Sequence, residues 1–194
     1  MIDFDFYGPS DYARVYRAAG WQVVPALSPA PGKTWKRPAL PWRNLQETLV
    51  DADAFDAMYG ARGQWSNNAQ MGMLTGSCSG NVFVLDLDLQ RHDSAREWWS
   101  DLLSTYTHGV EPRTPKQVTG GGGFQLFFRA PEDWVPPTNK TSLGVDIRGQ
   151  GGFAMLPPSM HESGQRYAWV PGLDPAATQV MEAPAWLTDA IDDL

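Results

Sequence analysis

Apolar residues recur at helical spacing in four parts of the chain. In "SDYARVYRAAGW" the side chains of Tyr12 and Tyr16 fall on one face of a helix, Ser10 or Asp11 is placed to cap its first turn, and Gly20 is placed to end it. The same spacing predicts three further helices, over Asp51–Tyr59, "DSAREWWSDLLSTY" and "PAWLTDAIDDL".

Short apolar runs bounded by glycine and proline predict strands between these helices. The runs are "WQVVPAL", "AQMGMLTG", "NVFVLDLDL", "KQV", "FQLFF", "LGVDIRG", "GGFAMLP" and "QRYAWV". The turn at residues 76–80 predicts a hairpin between the second and third runs, and four consecutive glycines predict another between "KQV" and "FQLFF". Helices and hairpins do not alternate as strict βαβ units, so the sequence predicts an α+β fold with a mixed or largely antiparallel sheet.

Composition narrows the class of protein. A chain of 194 residues suits one domain, or two small lobes that share a core. The net charge of -7 excludes a surface that is basic throughout, so any nucleic-acid contact has to use a local patch. Cys78 is the one cysteine, which excludes an intramolecular disulfide and a zinc site built on several cysteines, and fits a cytoplasmic protein. The ending "AIDDL" suggests a domain cut from a longer polypeptide.

Two acidic residues interrupt the apolar run "NVFVLDLDLQ". Residues two apart on a strand share a face, so Asp86 and Asp88 are expected about 6–7 Å apart. At that distance two carboxylates repel by roughly 2–3 kcal/mol at an effective dielectric near 20. Either this face is open to water, or a cation lies between them, and magnesium and manganese prefer such oxygen ligands. Asp146 in "GVDIRGQGG" is a candidate third ligand; alternatively, it pairs with Arg148.

Two other segments carry candidate phosphate ligands. The glycine run in "TPKQVTGGGGFQLFF" frees backbone amides to approach phosphates, with Lys116 and Gln125 on either side; alternatively, it is a flexible hairpin loop. In "PPSMHESGQRYAW", Ser159 and His161 follow a rigid proline turn, although His161 alone is more simply a surface histidine. The three histidines lack the spacing of zinc ligands.

A basic segment rich in proline follows the first predicted strand. Lys33, Lys36 and Arg37 are interleaved with Trp35, which suits contact with a single-stranded template through phosphate pairing and base stacking. A solvated basic loop explains the same residues equally well.

Taken in this order, the segments resemble the bifunctional primase/polymerase (prim-pol) branch of the archaeo-eukaryotic primase superfamily, which occurs in phage and plasmid replication proteins. The matching segments run from about Tyr12 to Trp169 and are "YARVYRAAGWQVVPAL", "KTWKRP", "LTGSCSGNVFVLDLD", "TGGGGFQLFF" and "GVDIRGQGGFAMLPPSMHESGQRYAW". The family's metal-binding acidic pair falls on Asp86 and Asp88, and its third acidic position falls on Asp146.

The resemblance implies a fold, a reaction and its partners. The fold is an RRM-like catalytic sheet with a second small α/β lobe, here a single catalytic domain over residues 1–194. The reaction is primer synthesis and DNA polymerisation on a single-stranded DNA template from nucleoside triphosphates, with two magnesium or manganese ions and no zinc. A helicase often follows in the same polypeptide, and no membrane is involved.

The resemblance also assigns roles, with one departure. The three aspartates are expected to hold the cations, and Gln125 falls at a position that contacts the phosphates of the nucleotide. Together with Gln125, the residues themselves suggest four further candidates to hold the triphosphate: Lys116, Arg148, Ser159 and His161. The departure is Gln125, where the family usually has a histidine; an amide donates a hydrogen bond but carries no charge, so only a binding role transfers. A metal-dependent nuclease or phosphohydrolase, and a degenerate non-catalytic nucleic-acid-binding module, remain alternatives.

Overall fold

The computed structural model describes residues 8–194, so the first seven residues of the predicted domain lie outside it. Four α-helices occur in this part of the chain: α1 Pro9–Ala18, α2 Ala52–Tyr59, α3 Asp93–Thr107 and α4 Ala185–Asp192. The strands are β1 Gln22–Pro25, β2 Met71–Leu74, β3 Val82–Leu87, β4 Lys116–Val118, β5 Phe124–Arg129, β6 Thr138–Lys140, β7 Val145–Arg148, β8 Phe153–Leu156, β9 Ala168–Trp169 and β10 Met181–Glu182. Within residues 8–194, none of the helices has the length and apolar character needed to cross a bilayer.

The strands form two sheets. The larger sheet has seven strands, in the order β6-β7-β3-β5-β4-β9, with β10 beside β5. The smaller sheet has the order β1-β2-β8. All pairs are antiparallel except β10 with β5. The predicted α+β class with a mixed, largely antiparallel sheet is therefore confirmed.

One predicted hairpin is present and the other is absent. Strand β4 pairs antiparallel with β5 across the glycine run, as the sequence predicts. Strands β2 and β3 do not form a hairpin: β2 lies between β1 and β8 in the smaller sheet, whereas β3 lies between β5 and β7 in the larger one. Both edges of each strand are already used, so the turn between them carries the chain from one sheet to the other with a single bridge, Gly76 to Val82.

The first helix begins earlier than the sequence predicts. Its N-cap is Gly8, not Ser10 or Asp11, because Pro9 already has helical geometry at the first position. The Asp11 carboxylate instead accepts a hydrogen bond from the Gly8 amide, 3.1 Å away. The predicted end is confirmed, since Gly20 follows the helix with a φ of +79°.

Alternation along β3 divides the core in two and places the site. On one face, Phe83, Leu85 and Leu87 are buried against α3 and α4. On the other face, Val82 and Val84 are buried in a cluster shared with α1, α2 and the smaller sheet. Two residues further along that second face, a carboxylate replaces the apolar side chain, so the core ends where the polar site begins.

Candidate functional site

Polar side chains form a continuous row across the larger sheet, on the face towards the smaller sheet. In the strand register Lys140 lies opposite Asp146, Asp146 opposite Asp86, Asp86 opposite Gln125, and Gln125 opposite Gln117. Directly opposed residues of antiparallel strands have neighbouring side chains. Five strands therefore contribute one residue each to a single strip of hydrogen-bonding and charged groups.

Arg148 lies between two of the carboxylates in this row. Its Nη2 is 2.9 Å from Oδ2 of Asp146 and 3.4 Å from Oδ2 of Asp86. Burial raises the pKa of the Asp86 carboxyl, and neighbouring Asp146 raises this pKa further, although Arg148 and a hydrogen bond from Gln125 act in the opposite direction. The buried Asp86 carboxylate is thus only partly compensated, and an additional cation beside it would be stabilised.

Asp88 brings a third carboxylate to the same place. It follows directly after β3, its amide donates to the Gly144 carbonyl at 2.9 Å, and its side chain lines the same cavity as Asp86 and Asp146. Within residues 8–194, no three histidine, cysteine or acidic side chains are already assembled as a metal cage. The donor set is nevertheless all oxygen, which fits magnesium or manganese, and the Arg148 guanidinium occupies the space between two of the donors.

A cavity of about 690 Å³ extends from these carboxylates. This volume is in the range typical of small-molecule sites. The larger sheet forms its acidic side, β8 of the smaller sheet forms another wall, and three loops complete it: the basic segment at Lys33–Lys36, the glycine run, and the turn at His161. The cavity is therefore lined by residues of both sheets.

Basic groups line the same cavity as the carboxylates. Lys36, Arg91 and His161 all line it. Burial lowers the pKa of Lys36 and also that of His161, where the charge of Lys36 acts in the same direction. The His161 ring is therefore neutral at physiological pH.

Two neighbours orient the His161 ring. Its Nδ1 accepts a hydrogen bond from the Ser163 amide at 3.1 Å, so the ring proton lies on Nε2. The ring centroid lies 5.4 Å from that of Trp35, in an edge-on contact. His161 is consequently a preoriented neutral donor, and not the surface histidine that its sequence context alone allows.

The glycine run, residues 120–123, packs against His161. A Cβ on Gly120 would lie 2.2 Å from Cβ of His161, whereas a Cβ on Gly121 would meet nothing nearer than 3.7 Å. The amides of Gly122 and Gly123 already donate to Thr119. Neither the Gly120 nor the Gly121 amide donates to an acceptor elsewhere in residues 8–194. Gly120 is buried, whereas Gly121 is exposed and lines the cavity, so the Gly121 amide is the one available to an anion there.

Gly120→Ala is expected to lower the free energy of unfolding by about 1–3 kcal/mol, because the new methyl group overlaps the His161 side chain. Gly121→Ala is the matched control and should change it by less than about 0.5 kcal/mol, since its Cβ makes only ordinary contacts. Urea denaturation of both variants measures the difference. Equal stabilities would show that the close packing of the glycine run on His161 is wrong.

Two residues predicted to bind nucleotide lie elsewhere. Lys116 points to the opposite face of the larger sheet, because it precedes Gln117 by one position in β4; its Nζ pairs with Glu111 at 2.6 Å and lies over the Phe124 ring. Ser159 is fully buried, and its Oγ accepts from the Met71 amide at 2.9 Å and donates to the Met71 carbonyl at 2.8 Å. Neither residue lines the cavity, so both predictions are corrected in favour of structural roles.

The basic segment divides between two depressions. Trp35 is 5% exposed and packs in the core with Met155 and Tyr167, so its ring does not offer the open face that the base-stacking prediction requires. Lys36 lines the main cavity, whereas Arg37 lines an adjoining groove of about 470 Å³. Lys33 lines both, so the groove adjoins the cavity at this residue.

Sequence reasoning missed several residues of the site. Arg91 and Lys140 line the cavity, and Gln117 ends the polar row. Strand alternation could have identified Gln117, because it shares the face of Gln125 across a predicted hairpin. No local signal distinguishes Arg91 or Lys140 from other surface bases, since only the pairing of β6 with β7 and the turn after β3 bring them to the cavity.

The order of these elements agrees with the prim-pol resemblance. The family described as bifunctional DNA primase/polymerase, N-terminal (Prim-Pol), matches residues 13–186. The chain belongs to this family. The match continues past the segments named above to the start of α4. No curated protein matches the chain. Membership indicates that this Prim-Pol domain has a DNA primase/polymerase activity, with DNA and nucleotides as its substrates.

Proposed function

We propose that this Prim-Pol domain is a template-dependent nucleotidyltransferase that makes and extends primers with two divalent cations held by Asp86, Asp88 and Asp146. The observation that carries the proposal is the register of β3 and β7. It places Asp86 directly opposite Asp146 at the cavity, which Lys36, Arg91 and His161 also line. Carboxylates and basic groups around one cavity suit a substrate that carries several phosphates and a reacting centre that needs cations.

The carboxylates account for the metal requirement. Magnesium or manganese, when bound, supplies activation of the attacking hydroxyl and charge neutralisation at the leaving pyrophosphate. Asp86 and Asp146 are each about 20% exposed, so both carboxylates are mostly surrounded by protein but remain accessible to a cation from the cavity. When the carboxylates are engaged by cations, the Arg148 guanidinium loses its two partners and becomes available to a phosphate oxygen within the same cavity.

The basic groups and hydrogen-bond donors of the cavity account for the triphosphate. Lys36 and Arg91 provide positive charge, the neutral His161 ring provides Nε2–H, and the Gly121 amide provides a backbone donor. Charge-assisted hydrogen bonds to phosphate oxygens are the strongest that such groups make. In this proposal these groups hold the terminal phosphates, and the three carboxylates hold the cations at the α-phosphate.

The adjoining groove accounts for the template. Lys33 and Arg37 line it, and phosphate contacts of this kind position a strand without reading its bases. The groove meets the cavity at Lys33, which brings the strand to the reacting centre. In this proposal the larger sheet corresponds to the RRM-like catalytic sheet and the smaller sheet belongs to the second lobe. The proposal includes a replication role in the cytoplasm of a bacterial or phage-infected cell, with a helicase region in the full-length polypeptide.

Incubation of the domain with primed single-stranded DNA, labelled nucleotides and manganese or magnesium tests the proposal. Extension that requires both template and metal is expected, and EDTA should abolish it. The same reaction without nucleoside triphosphates is the control, because cleavage of the labelled DNA would indicate a nuclease using the same carboxylates. Metal-independent DNA binding without incorporation or cleavage would indicate a non-catalytic module and contradict the proposal.

A further inference from the structure

The side chain of Gln125 lines the cavity but is almost fully buried. The residue is 5% exposed. Its Oε1 accepts a hydrogen bond from Nε2 of Gln117. Its side chain lies beside Asp86, the residue directly opposite it in the sheet, and lowers the pKa of that carboxyl. The amide oxygen is therefore occupied, and the NH₂ group is next to a proposed metal ligand, at the position where the resemblance places a phosphate-binding histidine.

A backbone carbonyl sets the direction of this hydrogen-bonded chain. Gln117 Nε2 also donates to the Met155 carbonyl at 2.7 Å. A carbonyl oxygen only accepts, so Gln117 has to present its NH₂ group there. Gln125 then presents its oxygen to that NH₂ group, and its own NH₂ group is directed to Asp86. The chain runs from β8 in the smaller sheet through β4 and β5 to β3, and neither amide can flip without placing two acceptors together.

Gln117 has no packing reason to be polar. It is fully buried, and its Oε1 has no hydrogen-bond partner within residues 8–194. An unpaired buried oxygen is destabilising, and an apolar side chain of similar size would avoid that cost. A role for the NH₂ group of Gln117 explains why a buried glutamine occupies this position.

We propose that Gln117 and Gln125 are positioning residues that orient the Asp86 carboxylate towards the cation, and that Gln125 does not bind the triphosphate. The inference rests on the proposed function, because it concerns the same metal site. A neutral histidine at position 125 would also offer one acceptor to Gln117 and one donor to Asp86. Glutamate would not, since it places a second carboxylate oxygen against Asp86.

Binding of Mn²⁺ alone, measured from the free Mn²⁺ signal in electron paramagnetic resonance, tests the positioning role. Gln117→Ala and Gln125→Ala are expected to weaken Mn²⁺ binding about tenfold or more, as is typical when a partner of a metal-ligating side chain is removed. Gln125→Glu should weaken it further, and Gln125→His should retain it. The matched control is Gln22→Ala, which truncates another fully buried glutamine whose Oε1 accepts from the Val50 amide, and which should bind Mn²⁺ like the wild type.

Nucleotide kinetics separate positioning from direct contact. At saturating Mn²⁺, the KM for the nucleotide should be unchanged in Gln117→Ala and Gln125→Ala. A raised KM with unchanged Mn²⁺ binding would overturn the inference, because it is the signature of a lost phosphate ligand. Unchanged Mn²⁺ binding in Gln117→Ala alone would overturn it as well, since that variant releases the Gln125 amide without touching the cavity.

The side-chain amide signals of Gln125 in NMR spectra of the metal-free domain provide a readout that does not depend on activity. We expect slow hydrogen exchange in the wild type and fast exchange in Gln117→Ala. Fast exchange in a wild-type domain that binds Mn²⁺ would overturn the inference and leave the proposed function intact. Slow exchange in a wild-type domain that fails to bind Mn²⁺ would refute the proposed function, and the positioning role with it.

Discussion

Replacement of Asp86 and Asp88 by asparagine is expected to reduce template-directed nucleotide incorporation by about 10³-fold or more. Loss of a single electrostatic group at a reacting centre typically costs about 10²–10³ in rate, and this double variant removes two of the three proposed cation ligands. Asparagine keeps the shape of aspartate and removes its charge. Primer extension with each metal, under single-turnover conditions, measures the effect.

The double variant should remain folded. Burial raises the pKa of Asp86, which means that the ionised carboxylate destabilises the metal-free domain. A neutral asparagine removes this unfavourable charge. Arg148 keeps its shorter contact, 2.9 Å to Asp146. Asp53→Asn with Asp56→Asn is the matched control, because it removes two charges from the exposed side of α2 and should leave incorporation unchanged. Persistent incorporation by the Asp86 and Asp88 variant would refute the metal site.

Arg148→Ala is expected to destabilise the metal-free domain by about 1–3 kcal/mol near neutral pH. The change leaves two directly opposed carboxylates without their shared cation. Breaking a fully buried ion pair costs about 3–5 kcal/mol. The cost expected here is smaller than that because the side chains are about a fifth exposed. Urea denaturation against pH measures it.

The pH dependence of that loss has a defined sign. Asp86 has a raised pKa in the folded domain, and removal of Arg148 raises this pKa further. The charge repulsion is therefore present above that pKa and is relieved as the pH falls through it, because protonation removes one of the two charges. The stability deficit of Arg148→Ala should shrink towards acidic pH.

The effect of Mn²⁺ on the stability of Arg148→Ala provides a second measurement. Because the guanidinium lies where a cation would be stabilised, Mn²⁺ should raise the stability of Arg148→Ala more than that of the wild type. Incorporation should nevertheless fall about 10–100-fold, since the released guanidinium is a proposed phosphate ligand. Arg129→Ala is the matched control, because its pair with Glu182 is 3.7 Å long and exposed and is worth less than about 1 kcal/mol. If Mn²⁺ stabilised the wild type and Arg148→Ala equally, the guanidinium and the cation would not share the same position.

Local pattern predicted most of the elements and part of the site. The helices at α2, α3 and α4 and the hairpin of β4 with β5 occur where apolar spacing and turn residues place them. Asp86 lies on the same face of β3 as Val82 and Val84, because side chains two residues apart on a strand point to the same side. The pairing of β2 with β3 was wrong, because adjacency in sequence favours a hairpin only while an edge of each strand is free.

The placement of the other candidates needed the assembled fold. Lys116 and Gln117 are neighbours in sequence, yet one faces a glutamate outside the cavity and the other ends the polar row. Ser159 serves a backbone contact with β2, which is 88 residues away. Trp35, predicted to stack on bases, is buried in the core. None of these environments is encoded within a few residues of the side chain concerned.

The sequence by itself determined the alternation that places Asp86 on the polar face of β3, with Asp88 just beyond the end of the strand, and it determined the family and hence the chemistry to be sought. Only the tertiary structure decided that Asp146 lies opposite Asp86, that Arg148 lies between them, and that the Met155 carbonyl fixes the orientation of the Gln117 amide beside Gln125. The physical reason is the separation along the chain over which each interaction acts. Side-chain direction along a strand follows from local backbone geometry, whereas charge compensation and hydrogen-bond polarity depend on partners that distant strands bring into register.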